Sequence, residues 1–182
     1  VAPMLILFVG GALQGAIGWI MVKSGLNEND ISVSHYRLAI HFIAAMALIS
    51  YAVWFALKLL IPGREIIAHT SIRKFTTALI ILLVIQLVYG AFMAGMKAGV
   101  VAPTWPSING YWVPQGIKGS VFNDPLLVQF IHRSLAYLIT FLIALWWIRS
   151  RAISTSVLFK RFRILPLLLV ILQVIIGVFT VI

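Results

Sequence analysis

The sequence contains no cysteine and only four acidic residues among 182. Without thiols it can build no disulfide, thiolate metal site or iron–sulfur cluster, so any metal must be met by histidine, methionine or carboxylate. Charge of either sign is scarce, at 10% of residues, while 62% are hydrophobic and the mean hydropathy is +1.08. That apolar share far exceeds a soluble domain's and places the chain among integral membrane proteins. HExxH, CxxC, GxSxG and phosphate-loop patterns are also missing, which removes the common hydrolase and nucleotide-binding constellations. The few acids lie near predicted helix ends or in loops, so no pair of intramembrane carboxylates is available for proton relay.

What is present is apolar length. A membrane-spanning helix needs about 20 apolar residues, and five such runs lie between charges: 3–22, 35–61, 75–96, 125–148 and 164–182. The predicted fold class is an all-α integral membrane protein. Fourteen Lys and Arg give a net charge of +10, which in a soluble protein would raise the question of nucleic acid. Here the basic residues mostly sit between the runs, where topology and anionic headgroups account for them without nucleic acid. Lys58, Arg64, Arg73 and Lys74 mark one connection, and Arg149, Arg151, Lys160, Arg161 and Arg163 another. Both are predicted to face the cytoplasm or matrix. The alternate connections, Lys23 to Ser34 and Lys97 to Asp124, carry Glu28, Asp30 and Asp124 and are predicted to face outside. The first residue is Val1 and the last run ends at Ile182 without a polar flank, so both ends are predicted to be cut from a longer chain.

The outer connection is long, and rich in Gly, Pro, Trp and Asn from Gly99 to Asp124. Trp105, Tyr111 and Trp112 suit either a belt at the membrane interface or a lid over a site. A second pattern is a repeat: Gln, three residues, then Gly, at Gln14 and Gly18, Gln86 and Gly90, Gln173 and Gly177. Close helix packing accounts for each glycine, whereas a glutamine at the same offset three times points to a duplicated bundle.

Four histidines occur. His69 falls in a basic connection and is predicted to be solvated. His41 and His132 lie about eight and seven residues into their runs, roughly 10 to 12 Å deep at 1.5 Å per residue, both toward the outer side. A neutral imidazole at that depth can ligate haem iron; the alternative is an imidazole hydrogen-bonded to helix backbone or to a glutamine. His35, six residues before His41, faces elsewhere. Arg37 shares a face with His41 and suits a propionate or phosphate, or simply the headgroup region. Gln129 shares a face with His132 at i, i+3 and is predicted to point toward whatever His132 binds, with Arg133 flanking.

Read in order, GALQGAIGWIMVKSGL, VSHYRLAIHF, YGAFMAGMKAGVVAPTWPSINGYWVP and NDPLLVQFIHRSLAY resemble segments of the heme A synthase family, over nearly the whole chain. The resemblance implies eight transmembrane helices in two pseudo-symmetric four-helix bundles, of which this chain would hold the third to seventh. Residues 1–61 would then be the second half of the first bundle, 62–74 an inner basic linker, and 75–182 the first three helices of the second, with an outer loop at 97–124. It further implies a haem-dependent monooxygenase that oxidises the C8 methyl of haem O to a formyl group, giving haem A for terminal oxidases. His41 and His132 match axial ligand positions, with Arg37, Gln129 and Arg133 beside the cofactors, haem O or haem A in the first bundle and haem b in the second. Trp105, Pro106, Trp112 and Asn123 are lid candidates. The family's catalytic glutamate would lie outside this chain, and its place in the second bundle is taken by Gln129. Implied partners are the bilayer, haem O, an electron donor such as a ferredoxin, haem O synthase, oxidase assembly factors and a second copy in a homo-oligomer. The implied location is a bacterial plasma membrane or the mitochondrial inner membrane. The lack of cysteine in the outer loop places the chain in the cysteine-free branch. Rival readings are a di-haem electron-transfer cytochrome and, with less support, a transporter built from inverted repeats.

Overall fold

The computed structural model describes residues 1–25, 32–61, 69–153 and 156–182. Glu28, Asp30 and Arg64, used above to orient the chain, lie outside these residues. The described chain is helical: α1 (Ala2–Val22), α2 (His35–Leu60), α3 (Thr70–Gly95), α4 (Ala98–Val101), α5 (Pro125–Ser150), α6 (Val157–Phe162) and α7 (Leu165–Phe179). Five spans are long and apolar enough to cross a membrane: α1, α2, α3, α5, and α6 with α7 together. Their backbones satisfy their own hydrogen bonds, which is what permits such sequences to reside in lipid. The chain is a multi-pass all-α membrane protein.

Two helix boundaries differ from those read in the sequence. The third helix starts at Thr70, so Arg73 and Lys74 occupy its first turns instead of a linker, and residues 62–68 of that linker lie outside the described residues. Charged residues end an apolar run, yet they do not end a helix whose long side chains can reach the headgroups. His69, expected to be merely solvated, caps this helix, its Nδ1 accepting from the Ile72 amide at 3.4 Å. The last span extends back to Val157 and breaks between Phe162 and Leu165. Pro166 explains the break, since a proline cannot donate to the preceding turn and its ring collides with the carbonyl of Phe162.

The spans pack antiparallel in sequence order. Gly10 meets Leu48 and Gly18 meets His41 between α1 and α2; Gly95 meets His35 between α3 and α2; Gly90 meets His132 between α3 and α5. Two apolar clusters stand at opposite ends. One joins Ala39, Ala91, Phe92 and Val128 near the 97–124 loop, and the other joins Ile72, Trp146 and Ile153 at the basic end. Lipid is as apolar as these side chains, so close packing and polar bonds hold the helices together more than hydrophobicity does. At the basic end Trp146 Nε1 donates to Thr76 Oγ1 at 2.9 Å, and Arg163 Nη1 donates to the Ser150 carbonyl at 3.1 Å, closing the end of α5. Large exposed apolar side chains cover α1 and α7, neither of which has a buried residue.

The loop between α4 and α5 is tied down rather than loose. A two-residue turn at Asn109 and Gly110, with φ of 51° and 89°, joins Ile108 to Tyr111 through paired backbone bonds of 2.8 and 3.1 Å. Positive φ at both positions is what an Asn-Gly pair supplies most easily. Asn109 Nδ2 also donates to the Val101 carbonyl at 3.2 Å, and the Asn109 amide donates to Thr104 Oγ1 at 2.8 Å.

Candidate haem-binding site

His41 and His132 sit six and seven residues after the first residues of α2 and α5, His35 and Pro125. That is about 9 and about 10 Å along the helix. Both rings are half-buried. Each is received by the preceding spanning helix through the same two residues of the repeat. Gln14 of α1 brings Nε2 to 3.2 Å from His41 Nδ1, and the same nitrogen donates to the His41 carbonyl at 3.0 Å. Gln86 of α3 brings Nε2 to 3.3 Å from His132 Nε2.

One turn along each helix, the glycine makes the space. A Cβ on Gly18 would lie 2.9 Å from His41 Cε1, and one on Gly90 would lie 3.3 Å from His132 Cε1. A side chain at Gly18 would force the His41 ring to shift, and one at Gly90 would press the His132 ring by a few tenths of an ångström. The repeat is therefore a pair of imidazole seats, a role its glycines alone did not disclose. The third copy, Gln173 and Gly177 on α7, carries the same pair with nothing within 4 Å of a Cβ on Gly177.

An imidazole bonded to a glutamine was the alternative to a haem ligand, and the structure shows that bond on one edge of each ring. The two readings are compatible, because the ring has a second nitrogen. His132 Nδ1 is buried and has no hydrogen-bond partner. A half-turn of the imidazole exchanges its nitrogens within nearly the same shape, so either can be the one presented.

The residues expected beside the cofactors are placed as follows. Gln129 is fully buried, and its Nε2 donates to the Ala102 carbonyl at 3.1 Å, so Gln86 and not Gln129 meets His132. A helical side chain tilts toward the N-terminus of its helix, and Gln129 already lies one turn N-terminal of His132, so it reaches up to the loop. Arg133 donates to the Ala102 carbonyl at 3.3 Å and to the Ser107 carbonyl at 3.2 Å. Arg37 donates to the Ile20 carbonyl near the end of α1 at 3.0 Å.

Among the lid candidates, Trp105 donates from Nε1 to Tyr137 Oη at 3.0 Å, and a cis bond joins it to Pro106. Asn123 Oδ1 accepts from Tyr36 Oη, linking the loop to α2. Trp112 is 75% exposed. The loop thus lies over the ends of α2 and α5 as a fastened roof.

Asp124 is the one acidic residue among those described, and it is structural. It caps α5, its Oδ1 accepting from the Leu127 amide at 3.0 Å and its Oδ2 from the amides of Lys118 and Gly119 at 2.8 and 3.1 Å. Burial opposes its charge, but these amides outweigh burial and hold the carboxyl below the usual carboxylate range. Two turns farther along α5 from His132, a cavity of about 150 Å³ opens between α3, α5 and α7, lined by apolar groups including Leu79, Leu83, Ile139, Ile143 and Pro166.

Fold and site together define a multi-pass helical membrane protein with two matched histidine seats near one end of its spans. The profile of the cytochrome oxidase assembly protein family matches residues 1–182, and the chain belongs to that family. It is 36% identical over 183 residues to the heme A synthase of Nitrosospira multiformis, covering 96% of this chain and 51% of that protein. To the heme A synthase of Brucella suis it is 37% identical over 97% of the chain and 51% of that protein, and to that of Paramagnetospirillum magneticum 39% identical over 80% and 44%. The chain thus spans about half the length of the curated relatives it matches. No solved structure matches it.

Proposed function

We propose that this chain is the haem-ligating part of a heme A synthase, with His41 and His132 as axial ligands in two separate sites. The observation that carries the reading is that two histidines at one depth are each seated by the same Gln and Gly pair on the preceding span. Among the described residues no group of three or more His, Cys, Asp or Glu could hold a metal ion. Haem, which would carry its own iron, would need only side-chain nitrogens such as those of His41 and His132 from the protein. A single imidazole per seat, with His132 Nδ1 buried and unpartnered, fits that requirement.

When bound, haem would supply the chemistry that oxidises the C8 methyl of haem O to a formyl group, with dioxygen as the oxidant and a donor such as a ferredoxin supplying the electrons that reduce dioxygen. The protein's own residues do the rest. His41 and His132 fix the two macrocycles at one depth. Arg37 and Arg133, one turn before His41 and immediately after His132, stand where propionates would meet the headgroup region. The roof formed by the loop, held by Arg133, Gln129, Trp105 and Asn123, restricts water at the α5 seat. In this reading the His41 bundle takes up substrate and the His132 bundle holds a resident haem b. Both seats face the periplasm or intermembrane space.

A passive di-haem cytochrome is favoured by one observation: the only described acid, Asp124, is committed to capping, so neither seat has a carboxylate beside it among the described residues. The deciding experiment supplies haem O and a reductant to the full-length protein. Formation of haem A supports the synthase; retained haem without conversion supports the cytochrome. In the same preparation His132→Ala is expected to lose one haem per chain, and unchanged haem stoichiometry would refute that ligand.

A further inference from the structure

The two glutamines hold atoms that the ligand assignment leaves unexplained. Gln14 Oε1 and Gln86 Oε1 are both buried and have no hydrogen-bond partner. Buried amide oxygens ordinarily find a donor. An imidazole that gives one nitrogen to iron carries its proton on the other, and the group accepting that N–H fixes the ring's tautomer and raises its strength as a ligand. At each seat the orphaned amide oxygen can become that acceptor, because a half-turn of the amide would exchange it with Nε2, which already lies against the ring.

That half-turn meets different resistance at the two seats. Among the described residues the Gln86 amide nitrogen bonds the His132 ring and nothing else, so turning it breaks no other bond there. The Gln14 amide nitrogen also donates to the His41 carbonyl at 3.0 Å, and turning it would set one oxygen against another. We propose that Gln86 is the positioning residue that sets the ligand strength of His132, and that Gln14, pinned by the His41 carbonyl, supports His41 more weakly. The proposal rests on the haem reading above and deepens it: the firm seat belongs to the resident haem, and the weak seat to the haem that must be taken up and released.

The test uses the full-length protein purified with its haem, carrying Gln86→Leu, Gln86→Glu or Gln14→Leu. Haem content, the electron paramagnetic resonance g-values of the ferric protein and the midpoint potential of each haem are measured. Gln86→Leu is expected to weaken haem retention at His132 by about 10–100-fold. Its midpoint potential should rise by about 59 mV for each tenfold preference for ferric iron that is lost. Gln86→Glu, nearly the same shape, should move the potential the other way, because a carboxylate accepts the ring N–H more strongly. Gln14→Leu should change haem retention at His41 less than Gln86→Leu does at His132. The proposal is overturned if Gln86→Leu and Gln86→Glu both keep the original g-values and potential, or if Gln14→Leu has the larger effect. Should Gln86→Leu fail to insert, the isosteric Gln86→Glu still decides by its potential. Absence of haem from the unsubstituted protein would instead refute the haem reading itself.

Discussion

The α1 and α2 seat and the α3 and α5 seat are built from the same three residue types in the same order, Gln, Gly and His, yet they differ in packing and in the contacts around them. At the first seat the glycine gap is narrow, 2.9 Å against 3.3 Å, and the glutamine is shared between ring and backbone. At the second, the glutamine serves the ring alone, and the next turn of α5 carries Gln129 and Arg133 up to the loop. The way each imidazole is received is the same, while the loop contacts on the next turn are found at the α5 seat.

The comparison can be broken most severely at the glycines. Gly18→Ala should cost about 3 kcal/mol and displace the His41 ring, since overpacking of this kind costs about 1–3 kcal/mol and the ring is already pinned by Gln14. Gly90→Ala, with more room, should cost about 1 kcal/mol. Thermal unfolding in detergent and haem content measure both, and equal losses would deny that the first seat is the tighter. Removing the cover comes next. Arg133→Leu deletes two bonds from a charged donor to loop carbonyls and should cost about 2 kcal/mol. Limited proteolysis should then cut the 97–124 loop faster while leaving the His41 seat intact.

A smaller effect is expected at the loop's far anchor. Because the amides around Asp124 hold its carboxyl below the usual range, the unfolded chain takes up a proton there before the folded one does. Its contribution is therefore full above the ordinary carboxylate range and is lost as pH falls through it. Asp124→Asn should remove about 1 kcal/mol at neutral pH and flatten the acid limb of stability, as read by unfolding across pH. Trp112→Ala should change stability by less than about 0.5 kcal/mol and leave both seats alone, its side chain being exposed.

Much of this organisation is legible in the sequence, because apolar length and the positions of charge report helices directly. The five spans and the depth of His41 and His132 follow from that pattern. The repeat of Gln and Gly is visible too, but its purpose is not. A glutamine on one helix and a histidine on the next are 27 and 46 residues apart in the two seats, and only packing shows that they meet. The usable signal was order: each of the first two Gln and Gly helices is followed by a span with a half-buried histidine. The bond from Gln129 to the Ala102 carbonyl was not legible, because spacing on a helix gives an angle, not the direction in which a long side chain leans. The start of α3 at Thr70 was hidden for a related reason, since Arg73 and Lys74 look like the end of a membrane run while remaining good helix formers.

The turn at Asn109 and Gly110 bears on how the protein ages. An asparagine followed by glycine is the pair most prone to deamidate, because the glycine amide can swing onto the asparagine side chain and close a five-membered ring. Here the side chain is held by the Val101 carbonyl and the backbone on either side is locked by paired bonds between Ile108 and Tyr111. Both contacts restrain the motion that closing the ring would need while the loop stays fastened. The same contacts that roof the α5 seat thus act as a chemical preservative for the most perishable peptide in that loop.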